Sequence, residues 1–249
     1  LLAGQVDLAV HSLKDLPTET PSGLTLAAFP ERADVRDAAV SRRDGGLEGL
    51  PARARVGTSS LRRRAALLAF RPDLEIVPLR GNVPTRVRRV GAGDLDAVVV
   101  ALAGLTRLGL ADGAVPLDPL RHPPAPGQGA LAVEVRAGDE HVLDLVRPLD
   151  DPGVRTAVVA ERAALGALEG GCRAAIGAWC GGDGSGLTLH VRVYAPDGSR
   201  RLDASSVVNA RDPEAAGVRA ADELLRAGAA ELIRAGQAAL LSPEEGFEP

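Results

Sequence analysis

Aromatic residues and cysteines are scarce in this sequence. Its 249 residues include one tryptophan, one tyrosine and three phenylalanines. Proteins that bind single-stranded nucleic acid stack the bases on aromatic side chains, so this scarcity argues against a nucleic-acid partner. The only two cysteines, Cys172 and Cys180, do not make a disulfide framework. That usage favours a reducing compartment, and we therefore expect a cytoplasmic protein.

The chain also lacks the marks of several other classes of protein. No apolar run approaches the ~20 residues that cross a bilayer, which argues against a membrane protein. Its four histidines are scattered without metal-ligand spacing, so no metal is expected. Neither a Walker-type phosphate loop nor a Gly-x-Ser-x-Gly motif occurs, which gives nucleotide binding and hydrolase triads little support.

Arginine is abundant, whereas lysine is almost missing. Of the 29 basic residues only Lys14 is a lysine. Ten arginines lie between Arg53 and Val90, where the only acidic residues are Asp73 and Glu75, although the whole chain has a net charge of −4. A basic cluster inside an acidic protein indicates a local anionic ligand rather than a nucleic-acid surface.

The first 150 residues have an α/β pattern. Alternation in the middle of the chain predicts a parallel sheet with right-handed crossovers. Strands are predicted at 54–57, 74–79 and 95–100, and helices at 61–70, 82–90 and 102–108. Earlier in the chain, 5–10 predicts a buried strand of the parallel-sheet kind, 24–29 a second strand and 30–34 a linker. The Pro- and Gly-rich 116–129 predicts a rigid connection to a strand at 130–135, which we expect to return to the first sheet.

From residue 151 the pattern changes to α+β. A helix at 158–168 leads towards Cys172, a hairpin is predicted from 187–194 and 202–208, and further helices from 213–226 and 229–235. We expect 242–249 to be disordered. We predict one domain from 1–33 and 130–150, a second from 34–129 that includes the hinge, and a third from 151–249. Because the chain starts without methionine just before a predicted core strand, we expect the first domain to lack its N-terminal part.

Two predicted turns from a strand to a helix carry donors for an anion. Thr58, Ser59 and Ser60 precede the helix at 61–70, whose first backbone N–H groups are free and whose dipole is positive there. Arg62 and Arg63 add cations at an end where cations are unfavourable for the helix itself, and a bound anion would account for them. Simple capping by the hydroxyls, with solvated arginines, is the equally weighted alternative.

The second turn is 80–86, where Arg80 and Arg86 flank Gly81. Arginine forks suit carboxylates and phosphates alike. In the first domain, Lys14 and Asp15 follow a strand, and Asp15 is a candidate general acid/base, with a surface ion pair or helix cap as the alternative. Cys172 follows two glycines and precedes an arginine, which favours the thiolate; an inert free cysteine is the alternative from the local pattern.

Five motifs occur in one order along nearly the whole chain. They are HSLKD at 11–15, GTSSLRR at 57–63, RGNVPTR at 80–86, PGQGA at 126–130 and LEGGC at 168–172. Together they resemble the porphobilinogen deaminase (hydroxymethylbilane synthase) family of tetrapyrrole biosynthesis. The resemblance implies two α/β domains like those of periplasmic binding proteins, here with the first incomplete, and a small C-terminal α+β domain. It also implies a monomer.

The same resemblance implies a function and roles for individual residues. The family is a transferase that joins four porphobilinogen molecules, with release of ammonia, on a dipyrromethane cofactor held by a thioether, here at Cys172. Asp15 would bind pyrrole N–H groups and stabilise the cationic azafulvene. The residues that would bind the carboxylates and other side groups of cofactor and substrate are Ser12, Lys14, Thr58, Ser59, Ser60, Arg62, Arg63, Arg80, Gly81, Arg86 and Arg107. Cys180 has no family counterpart and is expected to be structural.

Two other functions compete with this one. A non-catalytic two-domain binder of small carboxylates would explain the anion turns, but not Lys14-Asp15 together with the Gly-Gly-Cys loop. A nucleic-acid-binding protein would use the arginines between 53 and 89, and the acidic remainder of the chain argues against it.

Overall fold

The computed structural model describes residues 1–168, 174–182 and 186–241. Its strands are β1 (Leu8–Ser12), β2 (Leu24–Ala28), β3 (Asp37–Ser41), β4 (Arg55–Gly57), β5 (Glu75–Val77), β6 (Ala97–Ala101), β7 (Val115–Pro116), β8 (Leu131–Arg136), β9 (Ile176–Gly181), β10 (Leu187–Tyr194) and β11 (Arg201–Val208). Its α-helices are α1 (Leu61–Phe70), α2 (Val83–Gly91), α3 (Leu102–Arg107), α4 (Glu140–Val146), α5 (Pro152–Ala167), α6 (Pro213–Arg226) and α7 (Ala229–Leu241). The chain is therefore a mixed α/β protein, and its strands form three sheets.

The first sheet has the strand order β1-β8-β2, and both pairings are antiparallel. The prediction that 130–135 returns to the first sheet is confirmed, because β8 is its central strand. The prediction of a buried, parallel-type strand at 5–10 was wrong. β1 is an antiparallel edge strand, and Leu8 and Val10 on one of its faces are 42% and 58% exposed. The apolar run was a poor guide to burial, because the sequence of a strand does not show whether a second layer of helices or strands covers its outer face.

The second sheet has the order β5-β4-β6-β3-β7. β4 pairs in parallel with β5 and β6, as the alternation predicts, and α1 has the bounds predicted for it. The sheet is nevertheless mixed, because β3 lies antiparallel to both β6 and β7. These two strands were not predicted, since β3 follows the linker without a helix and β7 is only two residues long. Ala39, Val56, Leu67 and Val99 pack in the core on one side of this sheet.

The third sheet is an antiparallel meander of β9, β10 and β11. Tyr194 pairs with Arg201 at the start of the predicted hairpin. Alternate residues of β10, including Leu189 and Val191, face a core that is completed by α5, α6 and α7. α5 begins six residues before the prediction, because Asp151 caps it by accepting hydrogen bonds from two backbone N–H groups at 2.8 and 3.0 Å, with Pro152 in the first turn. β9 was not predicted.

Two extended segments, 30–36 and 123–130, connect the first and second sheets and lie side by side. The Ala33 N–H donates a hydrogen bond to the Gly129 carbonyl at 3.1 Å. Gly129 has a φ of +85°, and a Cβ there would lie 2.5 Å from the Ala33 oxygen, so only glycine allows this approach. We call these paired segments the hinge.

Some predictions fall outside the described residues. They concern Cys172 with its flanking glycines, and the disorder expected at 242–249. Within the described ranges, α-helices long and apolar enough to span a bilayer are absent. No three His, Cys, Asp or Glu side chains of those ranges gather as metal ligands, and the absence of a metal stays a prediction.

Candidate functional site

The hydroxyl groups at the start of α1 hold the backbone of this turn together. Ser60 is the N-cap and accepts a hydrogen bond from the Arg63 N–H at 3.4 Å, while Thr58 Oγ1 accepts from the Ser60 N–H at 3.2 Å. Ser59 Oγ donates to the Leu79 carbonyl and accepts from the Leu79 N–H, both at 2.9 Å. The hydroxyls therefore cap the helix and fix its first turn, as the alternative of simple capping predicts for them. Their binding of a ligand stays a prediction.

The arginines beside these hydroxyls are not solvated, as the capping alternative supposed. Both Arg62 and Arg63 are buried against the carboxylate of Asp37, which is 1% exposed. Arg62 Nη2 donates to Asp37 Oδ2 at 2.8 Å, and Arg63 donates to Oδ1 from Nε at 3.1 Å and from Nη2 at 2.8 Å. Burial alone would raise the pKa of Asp37, but the two guanidiniums outweigh it and hold that pKa well below its usual value.

A cleft of about 540 Å³ lies where the first and second sheets meet. Ser12, Lys14 and Asp15, at the end of β1, form part of one wall. Predicted residues from the second sheet's loops and helices complete the lining, namely Arg63, Gly81, Arg86 and Arg107. Seven residues predicted from three separate motifs and a helix thus line one cleft. Thr58, Ser59, Ser60, Arg62 and Arg80 are not among its described lining residues.

Positive charge exceeds negative charge in the cleft. Lys14 is partly buried, and burial, followed by the nearby Arg63, lowers its pKa to about 8 although Asp37 and Asp15 oppose the shift. Burial and Arg63 also lower the pKa of Arg86, whose Nε donates to the Gly81 carbonyl at 2.7 Å. Mutual repulsion of this kind, with Asp15 as the one carboxylate among the described lining residues, suits a ligand that carries several negative charges.

Arg107 completes the charged lining at the end of α3. Its side chain is exposed, and no residue in the described parts of the chain makes a hydrogen bond or ion pair with it. Val83, Val100 and Ala103 lie on the same wall and give it an apolar part. The cleft therefore combines cationic side chains, which are able to bind carboxylates, with an apolar surface on which flat rings can pack.

The motifs missed two buried carboxylates that organise the surroundings of the cleft. Asp37 is the first. The signal for it was the first turn of α1, which has arginines but no acid, so that a carboxylate from elsewhere in the chain is needed to balance their charge. Glu161 is the second, and it is 0% exposed. Its carboxylate accepts from Arg32 at 2.8 and 2.9 Å, from the Gly127 N–H at 2.7 Å and from the Cys180 N–H at 2.9 Å. It joins the hinge to the third sheet.

The two cysteines differ. Cys180 is a free thiol in the core beneath the third sheet, and burial, with Glu161 adding to it, raises its pKa to about 12. Such a thiol stays protonated and inert, as predicted for a structural cysteine. Cys172 lies outside the described residues. Three positions after it, Ala175 packs in one cluster with Leu61 and Ala65 of α1, the helix that carries Arg63.

Comparisons with known proteins agree with one another. A family model described as porphobilinogen deaminase, dipyromethane cofactor binding domain, matches residues 1–144, and one described as porphobilinogen deaminase, C-terminal domain, matches residues 155–226. A porphobilinogen deaminase of Rubrobacter xylanophilus is 53% identical over 92% of this chain and 75% of its own length. The one from a Roseiflexus species is 51% identical over 91% and 75%.

Among solved structures, a YaeC-family lipoprotein of Enterococcus faecalis matches with a TM-score of 0.35 and 19% identity. The match covers 51% of this chain and 62% of the lipoprotein. A similarity of this size carries no argument about function or domain arrangement.

Proposed function

The chain belongs to the porphobilinogen deaminase family, and on that premise we propose how its residues perform the family's reaction. The protein is a transferase that joins four porphobilinogen molecules head to tail, releases ammonia at each addition and yields the linear tetrapyrrole hydroxymethylbilane. One observation carries the proposal for this chain. Lys14 and Asp15 line the same cleft as Arg63, Arg86 and Arg107, although these residues are far apart in the sequence.

The cleft fits the dipyrromethane cofactor of this family. That group supplies a covalently held pyrrole end to which further pyrroles are added, and its acetate and propionate side chains are anions. Among the lining residues that the structure describes, the cations outnumber the carboxylates, so their charge is complementary to these anions. We propose that Cys172 carries the cofactor, that Lys14 and Ser12 hold its side groups, and that Arg86 and Arg107 bind carboxylates of cofactor and substrate.

Asp15 is the residue we propose to act on the reacting atoms. When ammonia leaves porphobilinogen, positive charge develops on the remaining methylpyrrole. A carboxylate fixed beside that carbon stabilises the charge without having to reorganise, which is the largest source of rate enhancement in many enzymes. Asp15 is the only carboxylate among the lining residues that the structure describes, and it is suited to this role and to accepting hydrogen bonds from pyrrole N–H groups.

The remaining predicted residues support this reaction less directly. We propose that Thr58, Ser59, Ser60 and Gly81 shape the backbone of the two anion-binding turns, and that Arg80 approaches the same ligand. The guanidinium of Arg62 already donates to Asp37 and, at 2.6 Å, to the Pro123 carbonyl. A ligand carboxylate at Arg62 would therefore have to share it with these partners.

We further propose a cytoplasmic monomer without a nucleic-acid partner, divided at 33/34, 129/130 and 150/151 into the three domains predicted above. The C-terminal family model supports the last boundary, since it begins at residue 155. Cys180, a free and buried thiol, supports a reducing compartment.

Intact mass under denaturing conditions tests the function. The protein should be heavier than its sequence by two linked pyrrole units, and the Cys172→Ala variant should lack this excess. Added porphobilinogen should then produce species heavier by successive pyrrole units, with one ammonia released for each. A folded protein that binds porphobilinogen reversibly, gains no mass and releases no ammonia would contradict the proposal and favour a carboxylate-binding module.

A further inference from the structure

The hinge contains a side chain for which the proposed reaction gives no reason. Gln128 is 1% exposed although it lies in a connecting segment. Its backbone carbonyl accepts a hydrogen bond from Arg32 Nε at 3.0 Å, and its side-chain Nε2 donates to the Val35 carbonyl at 2.8 Å. Gln128 thus connects both segments of the hinge, through its backbone and through its side chain.

The same side chain also reaches towards the cleft. Gln128 Nε2 donates to Asp37 Oδ1 at 2.9 Å, and its Oε1 accepts from Arg63 Nη2 at 3.5 Å. Only this orientation of the amide satisfies the partners, because a carbonyl and a carboxylate need a donor and a guanidinium needs an acceptor. The amide therefore makes bonds to the hinge and to the ion cluster.

Arg63 is the member of that cluster that lines the cleft. Asp37 balances only one of the two buried positive charges of Arg62 and Arg63, so the cluster keeps a net positive charge beside Lys14. The bonds from Gln128 and Arg63 meet on the same oxygen of Asp37, so Gln128 and Asp37 together tie the Arg63 guanidinium to the hinge. The path from hinge to cleft is short and consists of direct contacts.

We propose that Gln128 is a positioning residue that couples the hinge to the cleft by fixing the guanidinium of Arg63. The proposal rests on the proposed function, since it takes the ligand of Arg63 to be the growing pyrrole chain. Each addition enlarges the ligand between the two sheets, and the hinge must change its angle to make room. With Gln128 in place, Arg63 keeps its position on the cleft wall while this happens. Without it, Arg63 becomes misplaced as the chain grows.

The test compares Gln128→Leu with the wild-type protein during turnover. Leucine keeps the volume of the side chain but removes all its hydrogen bonds. Wild-type and variant are each mixed with excess porphobilinogen and quenched at intervals. Intact mass under denaturing conditions then gives the fraction of enzyme that carries one to four added pyrrole units. We expect the variant to carry its primer and accept the first unit, to accumulate with one or two units, and to turn over roughly ten- to a hundredfold more slowly.

Asp150→Asn is the control for lost stability. Asp150 accepts hydrogen bonds from the Phe29 N–H at 2.8 Å and from Arg155, away from the cleft. The Asp150→Asn protein should have a lower midpoint of thermal unfolding than the wild-type protein. Its distribution of enzyme species with added pyrrole units should be unchanged. The proposal is overturned if Gln128→Leu shows the wild-type distribution and turnover, or if Asp150→Asn stalls in the same way. If the leucine variant does not fold, Gln128→Asn, which shortens the amide by one methylene, takes its place with the same outcomes.

A failure of the proposed function itself would look different. In that case the wild-type protein would carry no primer and gain no mass from porphobilinogen, whatever residue stands at position 128.

Discussion

Two groups of arginines in the central part of the chain have different surroundings. Arg62, Arg63 and Arg71 each form an ion pair with a carboxylate, at distances of 2.6 to 2.8 Å. Arg86 and Arg107 line the cleft, and the described residues provide no carboxylate for either of them. In the sequence Arg86 belongs to the same basic cluster as Arg62, Arg63 and Arg71, and Arg107 lies beyond the end of that cluster. The structure divides these arginines into two groups, one that maintains the fold and one that is available to an anionic ligand.

The difference has an energetic meaning. A buried ion pair adds little net stability over an apolar replacement, but removing one partner leaves an uncompensated buried charge. After burial, which is the larger cause, Arg63 lowers the pKa of both Lys14 and Arg86 by charge repulsion, and an anion bound in the cleft relieves that repulsion. Arg63 belongs to both groups, because it is paired with Asp37 and also lines the cleft.

The largest effect is expected from Asp37→Asn. This change leaves two buried guanidiniums without a counter-charge, so the free energy of unfolding should fall by about 3–5 kcal/mol in a urea titration. Asp34→Asn is the matched control, because Asp34 pairs with Arg36 near the surface, where the two side chains are 33% and 41% exposed. The control should lose no more than about 1 kcal/mol. Equal losses in both variants would show that Asp37 has no special role.

Asp15→Asn should separate catalysis from stability. Asp15 is exposed, so the urea midpoint and the primer mass should stay at their wild-type values. Ammonia release from porphobilinogen should become slower by about 10²–10³-fold, because the developing positive charge loses its carboxylate. An Asp15→Asn protein with wild-type turnover would remove Asp15 from the reaction.

Arg86→Gln tests the group of arginines that lines the cleft and is available to an anionic ligand. We expect the KM for porphobilinogen to rise roughly tenfold, since a hydrogen bond to a charged group contributes about 1.5–3 kcal/mol. The control is Arg88→Gln, on the same helix, because Arg88 is exposed and donates to Thr85 Oγ1. Arg88→Gln should leave KM unchanged, and a rise of equal size in both variants would indicate a non-specific charge effect.

The smallest effect concerns pH. Because burial lowers the pKa of Lys14 to about 8, its positive charge is present below that pH and is lost as the pH rises through it. Carboxylate binding should therefore weaken between pH 7 and pH 9, with a rise in KM of about threefold. Lys14→Arg keeps its charge over this range, so its KM should stay flat. A wild-type KM that does not change up to pH 9 would contradict the role of Lys14.

Periodicity predicted most of the elements, but not what covers them. The alternation at 187–194 and the helical spacing at 61–70 gave the bounds of β10 and α1 that the structure has. The apolar run at 5–10 predicted burial for a strand whose outer face is exposed, and β3 was missed because its five residues follow a linker without a periodic pattern.

The site was predictable to the extent that it consists of local motifs. Lys14, Arg63 and Arg86 were identified from short segments and do line one cleft. Asp37 was not identified, and Gln128 was given no role although it lies in the motif PGQGA, because Asp37 lies 25 positions from Arg62 and 91 positions from Gln128. Such pairs form only when sheet and hinge are folded; the first turn of α1 signals that its arginines need an acid, but no local pattern shows which residue supplies it.

A paired comparison of two arginine variants tests the central claim most directly. Arg107→Gln removes a cleft arginine, whereas Arg71→Gln removes one that donates to Asp73 and to the carbonyls of Leu47, Leu50 and Pro51. Both variants are measured for the urea midpoint and for the KM for porphobilinogen. We predict that Arg107→Gln raises KM at an unchanged midpoint and that Arg71→Gln lowers the midpoint at an unchanged KM. If both variants changed the same quantity, the division into two groups of arginines would be wrong.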